Sequence, residues 1–214
     1  MPLTSWDFFI NRSLGAYLIV MEAKRNMGTI ASILWQGFVL PGHEACRLFS
    51  QDWRWHLEGT AVFSYEQQPS RLAYQIICDH AWRTLSAEVE GWLGKTIIGV
   101  QIKSDSAQQW WANGVEQPDT SGCTDIDLNF SPSTNLLPIR RLNLVIGETA
   151  TVQAAWLRFP SFKLEVLLQQ YHRLDETTYR YESAGGQFVA DLKVHESGFV
   201  VEYPGIWRSE VISA

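Results

Sequence analysis

From Ile33 onward the chain alternates apolar and polar residues with a period of two, and this pattern restricts it to strands. Successive side chains on a strand point to opposite faces, so strict alternation means one face buried and the other in water. Trp53, Trp55 and Leu57 alternate with Arg54, His56 and Glu58, and Gly59 predicts a bulge ahead of Ala61-Val62-Phe63. Gln67-Gln68-Pro69 marks a turn, after which Leu72, Tyr74 and Ile76 alternate again. Leu85, Ala87 and Val89 oppose Thr84, Ser86, Glu88 and Glu90, and Ile98, Val100 and Ile102 repeat the pattern. Asn113-Gly114 is a hairpin signal. Further strands are expected over 151–159, 162–174, 177–183, 187–194 and 198–203, separated by turns such as Ala184-Gly185-Gly186. No segment carries a convincing helical stripe. The short connections predict antiparallel neighbours.

A dozen or so strands form a sheet that cannot stay flat, because strand twist makes it curl or fold over itself. The expected fold is therefore all-β: a single large antiparallel sheet, curled, with either a packed core or a cavity inside. No internal repeat, linker or shift of composition follows residue 27, so residues 27–214 read as one domain. Residues 1–26 read as an extension, disordered or docked as one added element, with Met21 and Met27 as alternative starts. Its apolar run at 13–21 is too short to span a membrane and lacks the flanks of a signal peptide, so no transmembrane segment is expected. Cys46, Cys78 and Cys123 are widely spaced and lack CxxC pairing, which suits reduced, buried thiols in a cytoplasmic protein.

A net charge of -6 argues against nucleic acid or an anionic membrane as the main partner. Ten Trp, seven Tyr and ten Phe exceed what a core needs and point to an apolar or sugar-stacking surface. Gly91-Trp92-Leu93-Gly94-Lys95-Thr96 ends like a phosphate-binding loop, but Val89 stands where the first glycine belongs and a strand follows, so it reads as a hairpin turn. The five histidines lack metal-ligand spacing, and no GxSxG elbow is present. Neither a metal nor a cofactor is expected.

The stretch from Gly122 to Gly147 concentrates unusual chemistry. Asp125, Asp127 and Asn129 alternate with Ile126, Leu128 and Phe130, and Pro132 and Pro138 bracket a turn rich in capping side chains. Asp125, Asp127, Asn135, Arg140 and Arg141 fall within seventeen residues. They fit two roles: a clamp in which the charges neutralise one another, or a polar ligand site at a sheet rim. Asp125 and Asp127 share a strand face about 6.6 Å apart, a separation at which paired carboxylates hydrolyse glycosides, although two nearby guanidiniums should hold both ionised. Near the C-terminus, Tyr203 and Trp207 flank Pro204-Gly205, either ending an edge strand or stacking on a ligand ring.

Taken together, these segments resemble a bacterial family described as putative glycolipid-binding. The resemblance runs from Trp35 through Glu44-Ala45-Cys46-Arg47 and Leu72-Ala73-Tyr74 to the central DxDLxxSPxTNxLPIRRL at 125–142. It continues through Ala155-Trp156-Leu157-Arg158-Phe159-Pro160, Tyr179-Arg180-Tyr181 and Tyr203-Pro204-Gly205-Ile206-Trp207. It implies a spiral β-roll similar to bacterial lipoprotein carriers. It also implies a non-enzymatic binder of an amphipathic small molecule, a lipid or glycolipid. On that reading the inner face, with Trp82, Trp92 and Trp156, takes the acyl part. Asp125, Asp127, Asn135, Arg140 and Arg141 hold the head group, with Tyr203 and Trp207 at the mouth. The alternatives are a glycoside or ester hydrolase using Asp125 and Asp127, or a protein-interaction module with a solid core.

Overall fold

Alternation becomes strand pairing in a computed structural model that describes residues 29–214. The extension expected over 1–26 lies outside the described residues. Among the described residues fifteen strands form one sheet. The first half runs β1 (Thr29–Gly37), β2 (Gly42–Gln51), β3 (Arg54–Tyr65), β4 (Gln68–Cys78), β5 (Thr84–Leu93), β6 (Thr96–Ser104), β7 (Trp110–Ala112), β8 (Val115–Glu116) and β9 (Asp125–Leu128). The second half runs β10 (Thr149–Arg158), β11 (Lys163–Arg173), β12 (Thr178–Ser183), β13 (Phe188–Val194), β14 (Val200–Tyr203) and β15 (Trp207–Ser213). In space the order is β8 through β1, then β15 down to β9, so each half is a meander and β1–β15 is the seam.

The sheet curls into a spiral roll and does not close as a barrel. Its last strand, β9, returns beside β5: the Thr84 amide donates to the Thr124 carbonyl at 3.2 Å, and the Ile126 amide donates to Thr84 Oγ1 at 3.0 Å. The inner faces of β1–β6, including Trp35, Leu48, Leu57, Leu72, Ile76 and Ile102, meet Ile126, Leu128, Phe130, Leu136, Leu137 and Leu157 in one core. A second core joins Ile139 and Leu144 to Val152, Tyr171, Tyr179, Tyr181 and Leu192 on the later strands. Burial of this much apolar surface is what offsets the chain entropy of so many long-range pairings.

Local chemistry explains both the agreements and the departures. Asn113 and Gly114 adopt φ of 50° and 79° and form the expected two-residue hairpin between β7 and β8. Leu93 pairs with Thr96, so the glycine-rich segment is a hairpin turn, as its lack of a following helix implied. The turn expected at Gln67-Gln68-Pro69 sits one residue earlier, on Glu66-Gln67, both at positive φ. Pro69 is inside β4 but ahead of Ser70, where pairing with β5 begins, so its missing donor breaks no bond on that side. Trp53 leaves the strand pattern altogether: it occupies the β2–β3 turn at φ 60° and is exposed. Two expectations fail for topological reasons. Residues Leu136–Leu142 form a helix, α1, too short to display a stripe, and β9 pairs with β10 in parallel because the connection through α1 is long enough to cross over.

Gly59 is not a bulge. It pairs with Cys46 and Tyr74 in unbroken register, and a Cβ there would stand 2.3 Å from the Tyr74 ring. The glycine makes room for an aromatic lying flat against the backbone. Gly59→Ala is therefore expected to cost about 1–3 kcal/mol through overpacking. Urea denaturation checks this: the midpoint should fall with the slope unchanged, and an unaltered midpoint would contradict the packing described.

Candidate functional site

The segment 125–142 supplies most of the polar side chains singled out in the sequence, and the fold divides them. β9 is buried at Asp125, Ile126 and Leu128 and half-buried at Asp127, and its two aspartates turn away from the main core that holds Ile126 and Leu128. α1 brings Arg141 back over β9, where Nε and Nη2 donate to the two oxygens of Asp125 at 3.0 and 2.5 Å. Asp125 is 1% exposed. Burial pushes its carboxyl up, opposed by the Arg141 guanidinium. This fork-to-fork pair uses both carboxylate oxygens.

Among the described residues Asp127 has no ion-pair partner. Its Oδ2 accepts from Gln169 Nε2 at 2.6 Å, and burial raises its pKa to about 6. Asn135 Nδ2 donates to the Tyr171 hydroxyl at 2.9 Å. Tyr171, Tyr181 and Tyr203 meet in sequence, tilted and then edge-on, with centroids 5.2 and 6.1 Å apart. Burial pushes all three phenols up, and the Asp127 charge adds to this. Arg140, expected beside the aspartates, turns the other way and lies over the Trp82 ring at 5.3 Å. Trp207 is 6% exposed and packed in the main core. Of the expected site residues, Asp125 with Arg141, and Asp127 with Asn135 and Tyr203, are thus brought into the second core. Arg140 and Trp207 stand apart from them.

Sequence reasoning missed a third carboxylate. Glu44 lies on the inner face of β2, fully buried, and its Oε1 accepts from the Tyr74 and Ser131 hydroxyls at 2.5 Å each. Ser131 in turn accepts from the Ser133 amide at 3.1 Å and caps the short 3₁₀ turn Pro132–Asn135. Glu44 Oε2 has no hydrogen-bond partner among the described residues. Burial raises the pKa to about 7, against the two hydroxyl donors. The signal was present in the parity of β2: Cys46 and Leu48 point inward, so Glu44 does too.

The opposite, outer face of β2–β6 carries the accessible chemistry. Cross-strand register arranges it in three rows. The first is polar: Arg47, Glu58, Gln75 and Glu88 are consecutive partners. Arg47 Nη2 lies 2.5 Å from Glu58 Oε2, and Gln75 Nε2 donates to Glu58 Oε1 at 2.8 Å. The second row, Ala45, Thr60, Ala73 and Glu90, is small except at its end. The third, Val62, Arg71, Trp92 and Ile97, is largely apolar, with Arg71 over the Trp92 ring at 5.4 Å. Val62 is 56% and Ile97 81% exposed. The small row floors a groove of about 620 Å³, with Tyr74 and Cys46 beneath it. Trp92, expected on the inner face, is on the outer one, and Trp156 is half-buried beside Asp127 in register and under Arg158; of the three tryptophans only Trp82 is in the main core.

The two lone carboxylates make stability depend on pH with a definite sign. Between pH 4.5 and about 7 the folded protein keeps a proton on Glu44 that the unfolded chain releases, so this group's contribution falls as pH rises and levels off above 7. Glu44→Gln removes the charge and the dependence. Its stability relative to wild type should rise by roughly 3 kcal/mol across that window. Denaturation at a series of pH values measures it, and a difference constant with pH would contradict the buried carboxyl.

Comparison with known proteins supplies the context for these features. Residues 32–209 match the family model described as "Putative glycolipid-binding". A crystal structure of a DUF1089 family protein from Pseudomonas aeruginosa is similar, with 32% sequence identity and a TM-score of 0.68, over 77% of this chain and 90% of that one. No curated protein matches. The matched span contains the roll strands, the buried Glu44 and the outer groove, and the chain belongs to the putative glycolipid-binding family.

Proposed function

We propose that the protein binds a glycolipid, without chemistry on it, through the outer face of β2–β6. The observation that carries this reading is the graded order of the three rows. Carboxylates and an amide on Glu58, Gln75 and Glu88 suit sugar hydroxyls. The Ala45, Thr60 and Ala73 row gives a sugar's C–H face a close, flat approach. Val62, Trp92 and Ile97 then offer exposed apolar surface to the first methylenes of the lipid. The inner face offers less, because its side chains pack against 126–137 and Leu157 in a continuous core. The buried aspartates act in this reading as the clamp, not as contacts. Among the described residues no helix is long and apolar enough to cross a membrane. The three free, buried cysteines suit a reducing compartment, and we place the ligand there.

Co-sedimentation with phosphatidylcholine vesicles, with and without a monoglycosyl diacylglycerol, tests this. Wild type is expected to prefer the glycosylated vesicles. Trp92→Ala combined with Ile97→Ser should weaken that binding about tenfold while leaving the unfolding midpoint nearly unchanged, since both residues are exposed. Glu88→Ala, which removes the hydrogen-bonding group, should erase the preference for the sugar. Equal binding to both vesicle types, or an unaffected double variant, would overturn the assignment.

A further inference from the structure

A second concavity, of about 380 Å³, opens where α1 meets the β4–β5 and β13–β14 connections. Its walls include Trp82, Arg140, Arg173, Tyr179, His195 and Gly198. Three features converge on Arg140. Trp82 holds φ of 68°, a strained conformation for an aromatic residue, and this places its ring between Trp55, stacked at 4.4 Å, and the Arg140 guanidinium at 5.3 Å. Gly198, at φ 93°, lets the arginine stem pass: a Cβ there would stand 2.7 Å from Arg140 Cδ. The guanidinium itself spends little, with one bond, from Nη1 to the Glu196 carbonyl at 3.4 Å, among the described residues.

The neighbouring arginines behave differently. Arg141 gives two donors to Asp125, and Arg173 gives its donors to the carbonyls of Leu144, Asp175 and Glu176. Arg173 therefore contributes charge and rigidity, while Arg140 keeps most of its five N–H donors. His195 is tied to Ser197 through Nδ1, which leaves Nε2 as its second contact atom. Glu176 and Glu196 also line the pocket, both exposed, so its mouth suits a ligand that carries hydroxyl or ammonium groups beside its anion.

We infer that this pocket binds an oxyanion, a phosphate ester, through the guanidinium of Arg140 held flat by Trp82. A planar fork of donors next to a second cation is the usual protein match for phosphate oxygens. The site is separate from the outer groove and does not depend on how that groove is used.

The probes are inorganic phosphate, glycerol phosphate, and vesicles containing phosphatidic acid in phosphatidylcholine. With the full chain, NMR is expected to show that glycerol phosphate or the acidic vesicles shift the Trp82 indole and Arg140 Nε resonances. Arg140→Gln should lower affinity at least about tenfold, and Arg140→Lys, which keeps charge but loses the fork, should fall between. Arg180→Gln, an exposed arginine paired with Asp191 on another face, should bind as wild type. Response to the soluble esters identifies a free phosphorylated ligand, and response to the vesicles alone identifies a lipid head group. Unmoved Trp82 and Arg140 resonances with every probe would overturn the inference. So would an Arg140→Gln protein, folded by circular dichroism, that binds as wild type.

Discussion

The roll depends on satisfying the polar groups of one largely buried connection. Its buried part, residues 131–139, threads between the inner face of β2 and β4 and the later strands, where an unpaired donor or acceptor costs a large share of a domain's net stability. The partners are long-range and specific. Ser131 reaches Glu44, Leu128 donates its amide to Thr134, Asn135 reaches Tyr171, and Arg141 closes on Asp125. These bonds fix α1, and α1 in turn supplies Leu136 and Leu137 to one core and Ile139 to the other. Each contact couples distant segments, so the connection pins the curl of the whole sheet.

A buried carboxyl such as Glu44 is an expensive way to achieve this. Among the described residues it has no ion-pair partner, and its neutral form is favoured up to about pH 7. The Asp125–Arg141 pair solves the same problem with opposite charge, and Asp127 solves it with an amide from Gln169. Three carboxylates near one connection are thus held by different partners, two hydroxyls, a guanidinium and an amide. This is why the paired-aspartate arrangement does not behave as a unit: the two side chains have separate partners, and only one has an arginine.

Much of the fold was legible because a strand needs no partner to reveal its period. The hairpins at Asn113-Gly114 and Gly94-Lys95 and the curling of a large sheet follow from local chemistry alone. α1 was not legible, since seven residues span two turns and show no stripe. The parallel β9–β10 pair, the divergence of Arg140 from Arg141 and the removal of Trp207 into the core depend on long-range packing that adjacency in sequence does not encode. The outer face illustrates the same limit: Glu58, Gln75 and Glu88 are each outward by parity, yet only the register shows that they form one row.

The central claim is that ligand meets the outer face of β2–β6 while the interior stays solid. Methyl-resolved NMR during titration with a short-chain glycolipid separates the two faces of the same strands directly. The account predicts shifts at Ala45, Ala73, Val62 and Ile97, which point outward, with Leu57, Leu72 and Ile76 unmoved. Shifts concentrated on Leu57, Leu72 and Ile76 would place the ligand inside the roll and contradict it.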